Sequence, residues 1–147
     1  MGKARLTVLA ALMAAGVLAA SASATTSTST VSLRTTAVGK VLVAANGRTL
    51  YLFTADKGKK STCYGQCASF WPPLFSAKPT VGAGLKASKL GTTKRRDGKL
   101  QVTYAGHPLY FFAKDKKAGD VSGQGFVHFG GTWWVVSAAG ASIKTKP

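Results

Sequence analysis

The feature that most constrains the fold of this chain is a ten-residue segment that occurs twice. Residues 47–56 read GRTLYLFTAD and residues 106–115 read GHPLYFFAKD, so both copies follow the pattern G-x-x-L-Y-x-F-x-x-D. A segment that recurs in this way is typical of one supersecondary unit used twice. The sequence therefore predicts two copies of one β unit. The motif residues are Tyr51, Phe53 and Asp56 in the first copy and Tyr110, Phe112 and Asp115 in the second.

The N-terminal residues have the organisation of an export signal. Lys3 and Arg5 precede an apolar run at 6–20, and residues 22–24 have the A-x-A form of a cleavage site. The apolar run is shorter than the about 20 residues that a membrane-spanning helix needs. We therefore expect cleavage after residue 24 and a periplasmic or secreted protein without a transmembrane segment. An uncleaved membrane anchor is the alternative. No cysteine lies near the cleavage site to carry a lipid anchor.

Composition divides the rest of the chain into a tether, a domain and a tail. Residues 25–36 are rich in Ser and Thr and predict a disordered tether. Residues 37–137 predict one β domain made of two repeats, at about 37–76 and 90–137. Residues 138–147 predict a frayed C-terminal tail.

Charge limits the classes of partner. The chain has 20 Lys and Arg against 4 acidic residues, a net charge of +16, and removal of a signal that contains Lys3 and Arg5 lowers it to +14. Such a charge favours anionic partners such as lipid head groups and wall polymers, although it also keeps a protein soluble. The basic residues are spread through turns and no nucleic-acid-binding motif is present, so we expect no specific nucleic-acid recognition.

Apolar runs and turn signals predict three β-hairpins. Asn46-Gly47 separates two apolar runs, and Asp97-Gly98 separates residues 90–96 from residues 100–104. Both dipeptides favour a type I′ turn, in which two consecutive residues have positive φ. Gly130-Gly131 predicts the third turn. The alternation of side chains places Leu50 and Leu52 on one face of the motif strand, opposite Tyr51 and Phe53. Both faces are apolar, which predicts a strand covered on both sides.

These patterns predict an all-β fold. We expect two pseudo-repeats of short antiparallel hairpins that pack as one small sandwich or barrel-like domain. Each buried aromatic side chain contributes about 1.5–3 kcal/mol, which explains the motif without a ligand. The predicted core combines the motif aromatic residues with Trp71, Trp133 and Trp134.

Cys63 and Cys67 are the only cysteines, and their residue type leaves several chemistries open. In an exported chain an even number of cysteines predicts a disulfide. Two free thiolates with His107 or His128 are the alternative, since thiolate and imidazole bind copper, and a reversible redox pair is a third possibility. Each histidine is otherwise expected to be a surface or hydrogen-bonded side chain.

Asp56 and Asp115 each end a predicted strand, where an aspartate accepts backbone N–H bonds and holds a turn. A ligand or metal carboxylate is the alternative role, although hard cations usually need several oxygen ligands. No Ser/His/Asp or Cys/His constellation and no nucleotide-binding loop are present in the sequence. We therefore expect no enzyme activity and no cofactor, with copper as the alternative.

At these motifs the chain resembles a bacterial family of secreted repeats of unknown function, also described as predicted lipoproteins with a Y-x-(F/W/Y)-x-x-D motif. That motif stands at 51–56 and 110–115, and the family's C-x-G-x-C-A-x-x-W-P-P element stands at 63–73. The late G-Q-G and G-x-W-W-V-V elements are similar to 123–125 and 131–136. The resemblance covers about residues 37–137 and implies an extracytoplasmic location and no established activity. The missing lipid-anchor cysteine departs from many members.

Two functional hypotheses follow from the sequence. The first is an exported, non-enzymatic cell-envelope module that binds an anionic surface or a partner protein. The alternative is a periplasmic copper-handling or redox accessory protein that uses Cys63, Cys67 and a histidine.

Overall fold

A computed structural model describes Gly2 and residues 28–147, so the predicted export signal lies outside the described residues except for Gly2. In the described part, no helix is long and apolar enough to cross a membrane. The elements in chain order are β1 (Val31–Thr36), β2 (Gly39–Ala44), β3 (Tyr51–Phe53), α1 (Gln66–Phe70), a 3-10 turn (Ala87–Lys89), β4 (Leu90–Lys94), β5 (Leu100–Tyr104), β6 (His107–Pro108), β7 (Phe126–His128) and β8 (Gly131–Val135).

The strands form three small antiparallel sheets. β1 pairs with β2, β8 lies between β3 and β7, and β5 lies between β4 and β6. The all-β class is confirmed, because the α-helix among the described residues has only five residues. None of the three described sheets closes on itself, so the packing is sandwich-like rather than barrel-like.

The two repeats meet at the motif tyrosines. The Tyr51 backbone N–H donates to the carbonyl of Tyr110 at 2.8 Å, and the Tyr110 N–H donates back to the carbonyl of Tyr51 at 3.0 Å. This reciprocal antiparallel bridge relates the repeats by an approximate twofold axis. Because β3 of the first repeat pairs with β8 of the second, the repeats share a sheet and are not two separate units.

The same exchange occurs on the other side of the axis. Phe111 N–H donates to the Pro72 carbonyl at 2.8 Å, and Leu74 N–H donates to the Leu109 carbonyl at 3.0 Å. The motif segment of each repeat is therefore hydrogen-bonded to the tryptophan-containing segment of the other repeat. Neither repeat completes its backbone hydrogen bonds alone.

Two hydrophobic clusters lie on opposite faces of β3. Tyr51 and Phe53 enter an aromatic cluster, and Leu50 and Leu52 enter an aliphatic cluster, which confirms the predicted alternation. Trp134 is half-buried against the aliphatic cluster, so it borders the core and does not belong to the aromatic one. The buried members of the aromatic cluster are Val38, Val41, Val43, Tyr51, Phe53, Cys63, Cys67, Trp71, Tyr110, Phe112, Trp133 and Val135.

The predicted bounds of the domain, 37–137, were too narrow at both ends. Val31–Thr36 lies in the predicted tether, yet it forms β1 and pairs with β2 over its whole length, with Val31 fully buried. Threonine and serine are compatible with a half-exposed strand once valine and leucine anchor one face. The tail also folds back, since Ile143 N–H donates to the Val135 carbonyl at 3.0 Å.

The predicted turn types were wrong at both Asx-Gly dipeptides. Only Gly47 and Gly98 have positive φ there, whereas a type I′ turn needs two such residues. Asn46 and Asp97 instead accept a hydrogen bond from the backbone N–H two residues later, at 3.0 and 3.1 Å. This side-chain bond favours a type I turn followed by a glycine bulge.

Type I′ geometry occurs where the sequence did not predict it. Ala105 and Gly106 have φ of 49° and 80°, and Phe129 and Gly130 have φ of 55° and 81°. The first pair joins β5 to β6 and the second joins β7 to β8. The third predicted hairpin therefore exists, with its turn one residue earlier than Gly130-Gly131.

Candidate functional site

A column of four stacked aromatic rings crosses the approximate twofold axis, which passes between its two central rings. Trp71 and Trp133 stack at 4.0 Å between ring centroids with an interplanar angle of 3°. Phe53 stacks on Trp133 at 4.0 Å, and Phe112 stacks on Trp71 at 4.2 Å. Each phenylalanine thus stacks on the tryptophan of the other repeat. Trp71 and Trp133 are both fully buried.

The motif tyrosines stand with their edges against this column and reach a carboxylate of the opposite repeat. The Tyr51 hydroxyl donates to Asp115 Oδ2 at 2.6 Å, and the Tyr110 hydroxyl donates to Asp56 Oδ2 at 2.8 Å. We name these two places the Asp115 junction and the Asp56 junction. The spacing of the motif is explained by this exchange, because each copy supplies the tyrosine for one junction and the aspartate for the other.

The Asp115 junction is closed. Asp115 is 2 % exposed, and its Oδ1 accepts the Ser122 N–H at 2.9 Å, as the predicted turn role requires. Gly123 N–H donates to the Tyr51 hydroxyl at 3.3 Å. A Cβ on Gly123 would lie 2.7 Å from a ring carbon of Trp71, so only glycine lets this loop cover the column.

The Asp56 junction is more polar. Asp56 is half-buried, and its Oδ1 accepts the Thr62 N–H at 2.8 Å and the Thr62 hydroxyl at 3.1 Å. The Ser61 Oγ lies 2.7 Å from the Tyr110 hydroxyl. Because the Tyr110 proton goes to Asp56, Ser61 donates in this contact.

Burial raises the pKa of both carboxyls above the usual value. The charges around them differ in sign: Arg95 lowers the pKa of Asp56, whereas Asp120 raises that of Asp115. Burial also raises the pKa of Tyr51 and Tyr110 far above that of a free phenol, so both hydroxyls stay protonated and act as donors.

Arg95 links the Asp56 junction to the surface. It follows β4, is 5 % exposed, and donates through Nη1 to Ser61 Oγ and to Gln101 Oε1, both at 2.8 Å. Its Nη2 donates to the Cys63 carbonyl at 2.6 Å. These partners are neutral, so a buried arginine beside this junction is held by hydrogen bonds to uncharged groups.

A groove of about 620 Å³ lies over Arg95. One wall belongs to the loop after the first motif and the other to the end of β4, so both repeats build it. Its lining contains four cationic side chains and no acidic one. The lining residues are Lys60, Ser61, Thr62, Tyr64, Thr93, Lys94, Arg95 and Arg96. We name this surface the basic groove.

The basic groove could not be predicted from the repeat motif. Arg95, Ser61 and Tyr64 carry no repeat pattern, and the only sequence signal was the basic triplet at 94–96, which has the composition of a solvated turn. Hydrogen bonds to the loop at 61–64 hold Arg95 in a buried position, in contrast to its two neighbours in the triplet. The triplet therefore holds one buried and two exposed cations.

Cys63 and Cys67 form the predicted disulfide, and both are buried in the aromatic cluster with Trp71. His107 lies in β6, and His128 ends β7, where the centroid of its ring lies 3.8 Å from that of Phe129. Among the described residues no three His, Cys, Asp or Glu side chains form a cluster that could hold a metal. The copper hypothesis therefore requires reduction of the bridge before the thiolates could bind.

A family model described as a secreted repeat of unknown function matches the chain twice, at residues 32–74 and 91–137. These segments coincide with the two halves related by the tyrosine bridge, and together they cover more than half of the chain. The first match begins within β1, in agreement with the longer domain seen in the structure. No curated protein and no solved structure shows significant similarity to the chain.

Proposed function

The chain belongs to the family of secreted repeats of unknown function, and from this premise we propose that it is a non-enzymatic envelope module that binds an anionic polymer through the basic groove. The binding needs no cofactor. The proposed partner lies outside the cytoplasmic membrane, in keeping with a family described as secreted.

The observation that carries this proposal is the charge of the groove. Lys60, Lys94 and Arg96 are exposed, Arg95 lies beneath them, and no carboxylate lines the same surface. Four cations on a surface that no carboxylate lines repel one another, and a bound polyanion removes that repulsion. The hydroxyl of Thr93 adds a hydrogen-bond donor to the same walls.

The disulfide and Arg95 make this surface rigid. Arg95 connects the two walls, because it extends from the β4 side and donates to Ser61 and Cys63 on the other. The bridge to Cys67 closes the loop that contains Tyr64. A preformed surface loses less conformational entropy when it binds, so a rigid groove is a better binding site than the flexible basic residues elsewhere.

Retention on immobilised polyphosphate tests the proposal. A groove variant with Lys60→Gln, Lys94→Gln and Arg96→Gln is compared with a control that carries Lys78→Gln, Lys86→Gln and Lys117→Gln. All six side chains are exposed, and both variants lose the same net charge. At about 1 kcal/mol for each cation near an anionic surface, the groove variant should bind at least about tenfold more weakly than the control.

Salt provides a second criterion. Retention of the wild type should fall steeply as salt rises to about 0.5 M, since exposed charges are then strongly screened. Equal binding by the two variants would show that net charge alone attracts the polymer and would remove the groove from the proposal. Salt-resistant capture of an acidic protein, with no retention on the polymer, would favour a protein partner instead.

A further inference from the structure

We infer that Tyr64 is a positioning residue that presets the Arg96 guanidinium for phosphate groups, so that the basic groove prefers a phosphate-bearing polymer to a polycarboxylate. This inference rests on the proposed function and specifies its ligand. It follows from the contacts of one aromatic ring that the repeat motif does not include.

The Tyr64 ring contacts two guanidinium groups. The Arg96 Cζ lies 3.9 Å from the ring centroid, and the Arg95 Cζ lies 4.1 Å from it. The Arg96 backbone N–H also donates to the Tyr64 hydroxyl at 3.2 Å. The ring therefore touches both the backbone and the side chain of the exposed arginine.

Arg95 makes the ring a fixed platform. It is buried and anchored by hydrogen bonds to Ser61, Gln101 and Cys63, so the guanidinium that contacts Tyr64 is itself immobile. Cys63 is bonded to Cys67 and directly precedes Tyr64, which restricts the backbone of the ring. Arg96 is exposed but rests on this support, so it loses less side-chain freedom when it binds an anion.

The donor set suits phosphate. A guanidinium presents a planar fork of N–H groups that binds phosphate or carboxylate through two hydrogen bonds. A carboxylate has two oxygens, and that fork satisfies both. An internal unit of a phosphate polymer also has two charged oxygens, but its bridging oxygens and the adjoining units place further acceptors directly beside them. The additional donors are the ammonium groups of Lys60 and Lys94 and the hydroxyl of Thr93, which line the same groove.

The test compares polyphosphate and polyglutamate at equal charge concentration and about 0.15 M ionic strength. The proteins are the wild type, Tyr64→Leu, Tyr64→Phe and Arg96→Lys, and none of these substitutions changes the net charge. We expect the wild type to bind polyphosphate about tenfold more tightly than polyglutamate, because each additional hydrogen bond to a charged group changes affinity by about tenfold or more.

Tyr64→Leu should weaken polyphosphate binding about fivefold, as expected for loss of one arginine–aromatic contact. It should weaken polyglutamate binding less, because a carboxylate uses only the Arg96 fork and does not need that fork aligned with the other donors of the groove. Tyr64→Phe keeps the ring and should retain most of the preference. Arg96→Lys should reduce the preference while keeping the charge, and it provides a test if Tyr64→Leu fails to fold. Thermal unfolding of each variant identifies such a failure.

The possible failures are distinct. Equal binding of both polymers by the wild type would overturn the phosphate preference and leave the proposed function in place. Loss of groove-dependent retention on both polymers would overturn the proposed function itself. A Tyr64→Leu protein that folds and keeps the full preference would exclude a positioning role for Tyr64. Binding to phosphatidylglycerol vesicles but to neither polymer would identify a lipid head group as the ligand and overturn the polymer.

Discussion

The Asp115 and Asp56 junctions are built from the same motif, yet they have different surroundings. Each joins a tyrosine of one repeat to an aspartate of the other, at 2.6 and 2.8 Å. The Asp115 junction is sealed by a glycine-rich loop, whereas the Asp56 junction continues through Ser61 and Arg95 to an open basic groove. The same tyrosine–aspartate junction thus occurs on both sides of the core, and the candidate binding site lies beside only one of them.

The motif residues make packing contacts at both junctions, and the contacts that differ between the junctions come from other residues. Its aromatic residues and aspartates are used in the same way at both junctions. The residues that distinguish the junctions, Ser61, Tyr64 and Arg95 on one side and Gly123 on the other, lie outside the motif. In such a fold, the residues that differ between the two equivalent junctions therefore indicate where a functional site lies.

The largest effect is expected where the repeats are equivalent. Trp71→Ala and Trp133→Ala each remove one of the two central rings of the column, and both side chains are fully buried. Each substitution should lower the free energy of unfolding by about 3–5 kcal/mol. Urea denaturation measures both losses. If the two losses differed by more than about 2 kcal/mol, the two tryptophans would contribute unequally to stability despite their equivalent positions in the column.

The tyrosines should separate the junctions. Tyr51→Phe leaves the buried Asp115 carboxylate without its hydroxyl donor, which should cost about 1–3 kcal/mol. Tyr110→Phe should cost about 1 kcal/mol, because Asp56 is half-buried and keeps two hydrogen bonds from Thr62. Denaturation of both variants under one condition gives the comparison. A larger loss for Tyr110→Phe would reverse the assignment of the closed and the polar junction.

The disulfide belongs to one side of the molecule only. Replacing Cys63 and Cys67 by serine opens a short loop, for which chain entropy predicts a loss of about 2 kcal/mol. Because the bridge precedes Tyr64, the same variant should bind polyphosphate more weakly. Thiol titration of the unfolded wild type should find no free thiol. Two thiols and one bound copper in protein purified without reductant would instead support the copper-handling hypothesis.

The pH dependence of stability tests the buried carboxyls. The pKa of Asp56 and that of Asp115 are both raised above 3.8 in the folded state, so the folded protein binds more protons than the unfolded chain just above that pH. Their contribution to stability is therefore complete below pH 3.8 and is lost as pH rises through the folded-state pKa values. Asp120 acts in a different window, because backbone N–H groups of Lys117 and Lys116 lower its pKa.

Melting temperatures measured from about pH 4 upward should fall with rising pH, and Asp115→Asn or Asp56→Asn should each flatten the curve. Asp97→Asn is the control, because Asp97 is exposed and belongs to neither junction, whereas Asp120 influences the pKa of Asp115. An unchanged slope in both junction variants would contradict the assignment of raised pKa values to these two carboxyls.

Local regularities in the sequence predicted much of the fold. The repeat, the two faces of β3, the strands around Asp97-Gly98 and the disulfide follow from spacing and residue type over short distances. The crossed pairing of tyrosine and aspartate could not be predicted, because 64 residues separate Tyr51 from Asp115 and the motif looks complete within each copy. The basic groove depends on the burial of Arg95, which is likewise a tertiary effect.

The turns show the limit of local chemistry most clearly, because the equivalent turns of the two repeats differ. The first repeat turns at Asn46-Gly47 with one positive φ, and the second turns at Ala105-Gly106 with two. In the second repeat, Tyr104 pairs with His107 directly across the turn, so only two residues are left to join β5 and β6. Strand register therefore imposes a type I′ turn on an alanine, against its intrinsic preference.

The smallest predicted effect arises at this turn. Ala105 is exposed and has a φ of 49°, a conformation that costs most L-residues about 1–2 kcal/mol and asparagine less. Ala105→Asn should therefore raise the free energy of unfolding by about 0.5 kcal/mol. Asn46→Ala is the companion change, and it should lower stability by a similar amount, because the bond from the Arg48 N–H to Asn46 Oδ1 is lost. Urea denaturation of the two variants measures both shifts. If Ala105→Asn destabilised the protein, the strain assigned to the second turn would be wrong, and the difference between the repeats at this position would lie in loop length alone.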